Sequence, residues 1–400
     1  MYKKTLTTAI ALMGLITTIF AQTTDVYVAG GEDGKVTVWK NGIPTYLTTP
    51  SDDDNWACGV YVLGNDVYVA GTESGRVVVW KNGIPNYLTD GTNYSEIFSM
   101  CGSGEDIYVA GYEENNDFNY TAKLWKNGTA INLTDGSSHA EANSVFVSGN
   151  DVYVAGYEQT DNSAGAVVTA KLWKIGEGVT DLTDGSKYGG ASAVFVSGND
   201  VYVAIEEHAR NENDDATVIK LWKNGESFVL KTDLSRYIQI SSMFVSGEDI
   251  YVSGYGFLIL WRNGEVIDLT NDLADFDVRS VFVSGQDLHL AGTEYTSDAS
   301  NAFYWKNGEK TILSNNGFAT FVLVNQPNTG IPKIQNAEVK IYPNPTTGKV
   351  YIDVESNVKL YDSQGTLLQE TVGKEIDLSA YPQGTYLLKI EGKTVKVIKQ

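Results

Sequence analysis

The chain has 400 residues, of which 42% are hydrophobic and 20% charged, so it is long enough for one large folded domain and a smaller one. Its formal net charge of −21 argues against nucleic acid as a partner, because the phosphate groups would be repelled. Forty glycines and 24 tyrosines favour a turn-rich β protein. Two cysteines and three histidines exclude a disulfide-stapled mini-fold and a histidine-rich metal site.

Residues 1–22 have the layout of a secretory signal peptide. Lys3 and Lys4 form a short basic start, an apolar run follows from residue 9 to residue 20, and Ala21 offers a small residue for cleavage. An uncleaved anchor helix is the alternative, but the run is shorter than the roughly 20 apolar residues that a span needs. No later stretch is apolar enough, so we expect a mature chain that enters the periplasm without a transmembrane segment.

Residues 23–324 contain a sevenfold repeat. Each unit has a DVYVAG segment or a variant, then a Trp that is followed in most units by Asn-Gly, and a block such as VFVSGN precedes most units. Asn-Gly between apolar alternations is a strong hairpin signal, because both residues tolerate positive φ. Four short antiparallel strands in each 38 to 49 residues are typical of a propeller blade. The repeats begin at Asp25, Asp66, Asp106, Asp151, Asp200, Asp249 and Asp287.

The sequence therefore predicts an all-β fold with a seven-bladed β-propeller, and it also suggests how the ring closes. The first repeat lacks the VFV block, whereas an extra strand pattern, residues 319–324, follows the seventh repeat. We predict that this strand completes the first blade; an unrelated terminal strand is the alternative. The repeated tryptophans lie within strands, where they are expected to fill the space between blades rather than to stack on sugars. They are Trp39, Trp80, Trp125, Trp173, Trp222, Trp261 and Trp305.

Candidate binding residues lie on the face that carries the loops between second and third strands and the connections from each fourth strand to the next blade. We call this the top face; its loops vary in length, and variable loops on a rigid scaffold often carry function. Seven residues after the repeat aspartate, six units have a glutamate, and tyrosines precede this position at Tyr112, Tyr157 and Tyr255. A ring of carboxylates would favour cations or basic partners, but duplication could equally have copied a solubilising surface residue. The six glutamates are Glu32, Glu73, Glu113, Glu158, Glu207 and Glu294.

Trp56 and the two cysteines are further residues for which the sequence gives an expectation. Trp56 breaks the repeat in a predicted loop after an acidic run and is a candidate ligand contact. Cys58 and Cys101 are predicted to be buried free thiols, with a disulfide as the alternative.

Calcium would use carboxylate oxygens, but the acidic runs at 52–54 and 211–215 lack the spacing of a calcium loop, so no cofactor is assigned. No motif of nucleophilic catalysis is present, so no catalytic residue is assigned either.

The repeat ends at a linker, residues 325–336, which is rich in Pro, Gly and Asn. Residues 337–400 hold eight acidic and eight basic residues, so the excess negative charge lies upstream of the linker. Short strand patterns and turns in this tail predict a small β-sandwich.

The tail also resembles a known family. IYPNPTTG at 341–348, VKLYDSQG at 358–365, IDLSAYPQGTYLLKI at 376–390 and the basic end KTVKVIKQ resemble, in this order, the C-terminal sorting domain of the type IX (Por) secretion system. The resemblance implies that residues 337–400 form an Ig-like β-sandwich and engage the type IX secretion machinery of a Gram-negative outer membrane. It also implies that the cargo is released or attached to the cell surface. The propeller repeats resemble uncharacterised secreted β-propeller proteins, and that resemblance implies no activity.

Three functions remain open from the sequence. The first is a secreted or surface-attached, non-catalytic binding module that holds a glycan, a peptide or a surface protein on its top face. The second is a polysaccharide lyase or glycoside hydrolase that uses top-face carboxylates. The third is a structural surface protein. Propellers serve all of these roles, so the fold does not choose among them.

Overall fold

The computed structural model describes residues 24–51, 55–161, 163, 166–208, 217–234, 239–255, 259–267, 276–325, 341–362, 366–390 and 393–400. The chain divides into two compact units between Ile331 and Pro332. The predicted signal peptide, residues 326–336 of the predicted linker and the acidic runs at 52–54 and 211–215 lie outside the described residues. No helix long and apolar enough to cross a membrane occurs among the residues described.

The first unit consists of seven four-stranded antiparallel sheets, one for each repeat, which confirms the predicted propeller. In blades 2 to 7 the strands follow chain order from the inner to the outer edge, whereas blade 1 takes its inner strand from the end of the unit. The strands are, in blade 1, β1 (Asp25–Glu32), β2 (Lys35–Lys40), β3 (Ile43–Tyr46) and β28 (Gly317–Asn325); in blade 2, β4 (Trp56–Leu63), β5 (Asp66–Glu73), β6 (Arg76–Lys81) and β7 (Ile84–Tyr87); in blade 3, β8 (Ser95–Ser103), β9 (Asp106–Glu114), β10 (Tyr120–Lys126) and β11 (Thr129–Asn132); in blade 4, β12 (Ala140–Ser148), β13 (Asp151–Gln159), β14 (Val168–Lys174) and β15 (Gly178–Asp181); in blade 5, β16 (Tyr188–Ser197), β17 (Asp200–His208), β18 (Thr217–Lys223) and β19 (Glu226–Leu234); in blade 6, β20 (Gln239–Ser246), β21 (Asp249–Tyr255), β22 (Ile259–Arg262) and β23 (Glu265–Val266); and in blade 7, β24 (Phe276–Ser284), β25 (Asp287–Tyr295), β26 (Ser300–Lys306) and β27 (Glu309–Ser314).

Blade 1 closes the ring as predicted. Strand β28 pairs antiparallel with β1, with Val324 opposite Val26 and Gly317 opposite Glu32. This strand begins two residues earlier and ends one residue later than the sequence predicts. Each inner strand contacts the inner strands of both neighbouring blades, and β28 contacts β4 and β24 in the same way. The seven inner strands therefore surround one axis.

The repeated sequence signature is explained by a clamp at the hairpin end of six of the seven blades. In blade 3, Asn127 adopts a φ of 50° and Gly128 a φ of 85° in the turn between β10 and β11. The Asn127 side chain donates to the Asp106 carboxylate (2.6 Å) and accepts from the Ile107 backbone N–H (2.8 Å), while Lys126 forms an ion pair with Asp106 (2.9 Å). The same asparagine clamp recurs in blades 1, 2, 5, 6 and 7. The repeat aspartate and the Asn-Gly turn are therefore structural.

The tryptophans form part of the core between blades. Six of the seven repeated tryptophans are buried, and Trp222 is partly buried against the core of blades 4 and 5. His289 occupies the strand position of a tyrosine in the other repeats; it is 2% exposed, and its Nδ1 lies 2.7 Å from the Tyr304 hydroxyl. Burial lowers the pKa of His289 to about 4, so the ring is neutral at physiological pH. The tryptophans are packing residues, as predicted.

The second unit is an all-β domain, as predicted. Its strands are β29 (Ile341–Tyr342), β30 (Lys349–Tyr361), β31 (Leu367–Asp377), β32 (Gly384–Ile390) and β33 (Lys393–Lys399). Strand β30 pairs with β29, β31 and β32, and β33 pairs with β32, so the five strands belong to one sheet. Val350, Leu360 and Leu388 are among the fully buried side chains of its core.

Candidate functional site

Every inner strand of the propeller contains a β-bulge, and the bulges build a central cavity. The pairing with the second strand skips one residue at the same place in each blade. An inserted residue of this kind is left out of the ladder and its side chain is re-aimed. All seven bulged residues line one cavity of about 460 Å³, so the cavity lies on the ring axis. They are Cys58, Phe98, Asn143, Ser192, Ser241, Arg279 and Thr320.

Two residues before each bulge, a cross-strand pair stands at the top-face end of the inner strand. We call these seven pairs the mouth pairs. Blades 1 and 2 contribute aromatic side chains, and blades 3, 4, 5 and 7 contribute carboxylates. The pairs are Phe318 with Gly31, Trp56 with Thr72, Glu96 with Tyr112, Glu141 with Tyr157, Gly190 with Glu206, Gln239 with Tyr255, and Asp277 with Thr293.

The aromatic side of the mouth is a connected series of rings. The ring of Trp56 lies 6.4 Å from that of Phe98, centroid to centroid, in an edge-on arrangement. Phe98 lies 6.0 Å from Tyr112, and Tyr112 stacks on Tyr120 at 4.3 Å. Tyr120 in turn lies 4.6 Å from His139. Aromatic contacts therefore connect blade 2 to the beginning of blade 4.

In blades 3 and 4 a tyrosine holds a glutamate at the mouth; Tyr112 is buried and Tyr157 is partly buried. The Tyr112 hydroxyl donates to Glu96 Oε2 (2.9 Å), and Tyr157 makes the equivalent bond to Glu141. Burial raises the pKa of the Glu141 carboxyl, and the charge of Glu96 raises it further, while the bond from Tyr157 lowers it. Burial and the neighbouring carboxylates also raise the pKa values of both tyrosines, so they remain hydrogen-bond donors.

In blade 5 the carboxylate at the mouth comes from the second strand instead of the inner strand. Its inner-strand position is Gly190, and Glu206 on the second strand lies opposite. Glu206 is 7% exposed; its carboxylate accepts from Ser192 Oγ (3.0 Å) and from the Ile240 backbone N–H (2.8 Å). Burial raises the pKa of Glu206 to about 7, because these two neutral donors compensate only part of the lost hydration.

Positive charge at the cavity comes from blade 7. Arg279 is a lining residue, and its Nη2 lies 3.4 Å from Asp277 Oδ2, which also accepts from the Tyr295 hydroxyl (2.9 Å). His208 lines the cavity as well, with its Nδ1 2.9 Å from Thr217 Oγ1, and burial lowers the pKa of this histidine. Its ring is therefore neutral at physiological pH, and the described lining residues contain more carboxylates than cations.

The six glutamates predicted to form a top-face ring lie one residue beyond the second-strand members of the mouth pairs, and the cavity lining does not include them. Five of the six have a partner within their own blade. Glu113, Glu158 and Glu207 form ion pairs with third-strand lysines, the last two at 3.2 and 2.7 Å, and Glu294 pairs with Lys310 at 2.5 Å. Glu73 accepts from the Tyr87 hydroxyl (2.5 Å), whereas Glu32 Oε2 is buried and has no hydrogen-bond partner among the described residues. The role of the six glutamates in binding stays a prediction.

The other predicted residues are placed as follows. Trp56 is the first residue of β4 rather than part of a loop, and it lines the cavity together with Tyr157. Tyr112 is buried behind Phe98, and Tyr255 ends β21, its side chain being outside the described residues. Glu96, Glu141 and Glu206 also line the cavity and were not among the predicted residues. Comparing the residues four before each VFV-like block would have found Glu96 and Glu141, but Glu206 needed the register.

Cys58 and Cys101 are free thiols, as predicted. Cys58 is buried at a bulge, and Cys101 is only partly buried, three residues beyond the bulge of blade 3. Burial raises the pKa of the Cys58 thiol to about 12. Within the parts of the chain that the structure describes, no three His, Cys, Asp or Glu side chains are grouped so as to hold a metal ion.

Residues 340–400 match the family described as the secretion system C-terminal sorting domain. The tail is a type IX sorting domain. The sorting domain directs export through the type IX machinery to the cell surface or the outside, as the resemblance implied. A comparison with curated proteins found no match for the chain.

Solved structures similar to the chain include the computationally designed Ika8 protein, which is 16% identical with a TM-score of 0.38; the match covers 94% of this chain and 93% of that one. The β-propeller domain of the Trilobed protease from Pyrococcus furiosus is 10% identical over 86% of this chain and 97% of that one, with a TM-score of 0.41. A puromycin-hydrolysing peptidase of Mycobacterium tuberculosis is 11% identical over 85% and 57%, with a TM-score of 0.42. Such distant likenesses carry no argument about function.

Proposed function

We propose that the exported propeller is a non-catalytic binding module whose ligand, a glycan, a peptide or a segment of a surface protein, enters the central cavity from the top face. The cavity itself carries this proposal. Its volume of about 460 Å³ falls in the range of roughly 300–1,000 Å³ that is usual for ligand pockets, and it combines aromatic walls with a few oriented polar groups.

The bulges support the proposal, because a regular ladder would not place seven side chains at the axis. The lining differs from blade to blade, with Phe98, Asn143 and Arg279 at equivalent positions, whereas the hairpin clamp is nearly uniform. Variation at the cavity and uniformity at the opposite end are what a repeat is expected to show when only one end binds a ligand.

The test compares two triple variants of the full-length protein that remove the same number of carboxylates. One replaces Glu96, Glu141 and Glu206 with Gln; the other replaces the outer glutamates Glu113, Glu158 and Glu207. Each is titrated calorimetrically with oligosaccharides and short peptides, and its melting temperature is checked without ligand. We expect binding to be lost in the first variant and kept in the second. The reverse result would place the ligand on the outer glutamates.

Catalysis is the second candidate, and Glu206 favours it. A carboxylic acid with a pKa of about 7 suits a general acid, and Glu141 and Glu96 line the same cavity. A lyase or glycoside hydrolase would turn over a polysaccharide and lose that turnover in Glu206→Gln. If no polysaccharide is cleaved and no ligand is bound, a structural role at the cell surface is left.

A further inference from the structure

We propose that the central cavity recognises an ammonium group, held between the aromatic side of the mouth and the carboxylates of blades 4 and 5. This inference rests on the proposed function, because it names the ligand chemistry of the same cavity. It requires a concave site with negative charge that the protein itself leaves uncancelled, a π surface beside it, and a field that attracts cations.

The carboxylates of blades 4 and 5 are held by neutral donors. Glu206 accepts from Ser192 Oγ and the Ile240 N–H, and Glu141 is bonded by Tyr157. Neutral donors orient a carboxylate without cancelling its charge, so a cation brought into the cavity gains an attraction that water screens less than it does at the protein surface. The outer glutamates provide the internal contrast, because Glu158 and Glu207 each have a lysine of their own blade.

Arg279, the guanidinium among the described lining residues, does not replace that missing cation. Arg279 lies in blade 7 and is shared with Asp277, whose Oδ2 it approaches to 3.4 Å. The described residues of blades 4 and 5 contribute no lysine or arginine to the lining of the cavity. His208, the basic side chain that blade 5 does contribute, is kept neutral by burial, which lowers its pKa.

The aromatic side of the mouth supplies the second element of recognition. Trp56 and Phe98 both line the cavity, and their contacts lead through Tyr112 to the Glu96 carboxylate. The face of an aromatic ring attracts ammonium groups within about 6 Å, and tryptophan does so best. An ammonium group has three donors, which suits a site where several carboxylate oxygens and a ring converge.

The charge of the whole propeller acts in the same direction. The sorting domain is electrically neutral, so the net charge of −21 arises upstream of it. A cavity with more carboxylates than cations in its described lining, within an acidic body, concentrates cations and speeds their association. Two ligand sources carry ammonium groups, the lysine side chains of peptides and the free amines of glucosamine-type sugars.

The experiment titrates the full-length protein with two probes and their acetylated counterparts at pH 7. The probes are a lysine tripeptide and a glucosamine tetramer; acetylation of the amines removes the charge and leaves the rest of each molecule. We expect at least one charged probe to bind about tenfold or more tightly than its acetylated form. The probe that shows this difference identifies the source.

Three single variants locate the effect. Glu141→Gln and Glu206→Gln are each expected to weaken the charged probe about tenfold, whereas Glu226→Gln, an exposed residue at a hairpin turn, leaves binding unchanged. Trp56→Leu removes the π surface without touching a carboxylate and is expected to weaken binding as well, so the inference does not depend on the folding of one variant. For the tripeptide, affinity should fall by up to tenfold for each pH unit below about 7, because Glu206 must release its proton.

Equal binding of charged and acetylated probes would overturn ammonium recognition and leave the proposed function intact. Failure of every charged probe would also overturn it, and the oligosaccharide titration above would then decide separately whether the cavity binds anything. Unchanged affinity in both glutamate variants, with native melting temperatures, would show that the ammonium group binds elsewhere.

Discussion

Glu206 makes the folding stability of the propeller depend on pH in a way that one substitution isolates. Burial raises its pKa from an ordinary value of about 4.5 to about 7. The folded state therefore holds a proton that the unfolded state has lost between these two values. Stability falls as the pH rises through this interval, because the unfolded chain then binds fewer protons than the folded one.

The magnitude follows from the same two values. At about 1.4 kcal/mol for each pH unit, they correspond to about 3 kcal/mol of unfolding free energy. Glu206→Gln removes the titration and keeps the shape of the side chain. The variant loses one hydrogen bond, either from Ser192 or from Ile240, and this loss changes its unfolding free energy by an amount that does not vary with pH. Relative to the wild type, the variant should therefore gain up to about 3 kcal/mol between pH 4.5 and pH 8.

The assay is urea unfolding of the full-length wild type and the variant at half-unit intervals from pH 4 to pH 8. Every other titrating group is common to both proteins, so the difference between the two curves reports Glu206 alone. Glu226→Gln serves as the control and should give a flat difference. A flat difference for Glu206→Gln as well would refute the reasoning, since it would mean that the carboxylate is hydrated in the folded state.

Three further predictions test the architecture. Asn127→Gly keeps the positive φ but removes both bonds of the clamp, and it should lower the unfolding free energy by about 1–2 kcal/mol in urea; no change would make the clamp incidental. Val322→Ala in the closing strand should lower stability by roughly 2 kcal/mol, and the exposed Val179→Ala by almost nothing; equal effects would argue against the β1–β28 closure. Thiol titration should find two thiols in denatured, unreduced protein and none reacting quickly at Cys58 in native protein, because burial raises its pKa to about 12; fewer than two would indicate a disulfide with Cys101.

Much of the fold could be predicted from the sequence because the repeated residues each have a structural role. Asp106, Trp125 and Asn127 have counterparts in the same order in most blades, because the aspartate and the asparagine clamp one hairpin and the tryptophan fills the adjoining core. Ring closure was readable for a similar reason, since a blade that lacks its first strand must obtain one from elsewhere in the chain. The boundaries of β28 differed by one or two residues, which are Gly317 and Phe318 at its start and Asn325 at its end.

The site was harder to predict because it depends on a bulge. Strict alternation from Asp151 through Glu158 does not reveal which face of the strand meets the axis, and one skipped residue in the inner strand changes that face. Glu158 was therefore singled out, whereas Glu141, opposite Tyr157, lies at the cavity. Glu206 was not predicted for a further reason. The inner-strand position of blade 5 is Gly190, and only the strand pairing shows that Glu206, opposite it, supplies the carboxylate there. Trp56 was identified because it breaks the repeat.

The central claim is that ligand binding takes place in the cavity built by the seven bulges. The most direct measurement is a crystal structure of the full-length protein grown with whichever oligosaccharide, peptide or amine probe binds most tightly. We predict that the ligand contacts Trp56 and the carboxylates of Glu141 or Glu206 inside the cavity. A ligand bound to the outer glutamates, to the hairpin ends or to the sorting domain, with the cavity holding only water, would contradict the claim.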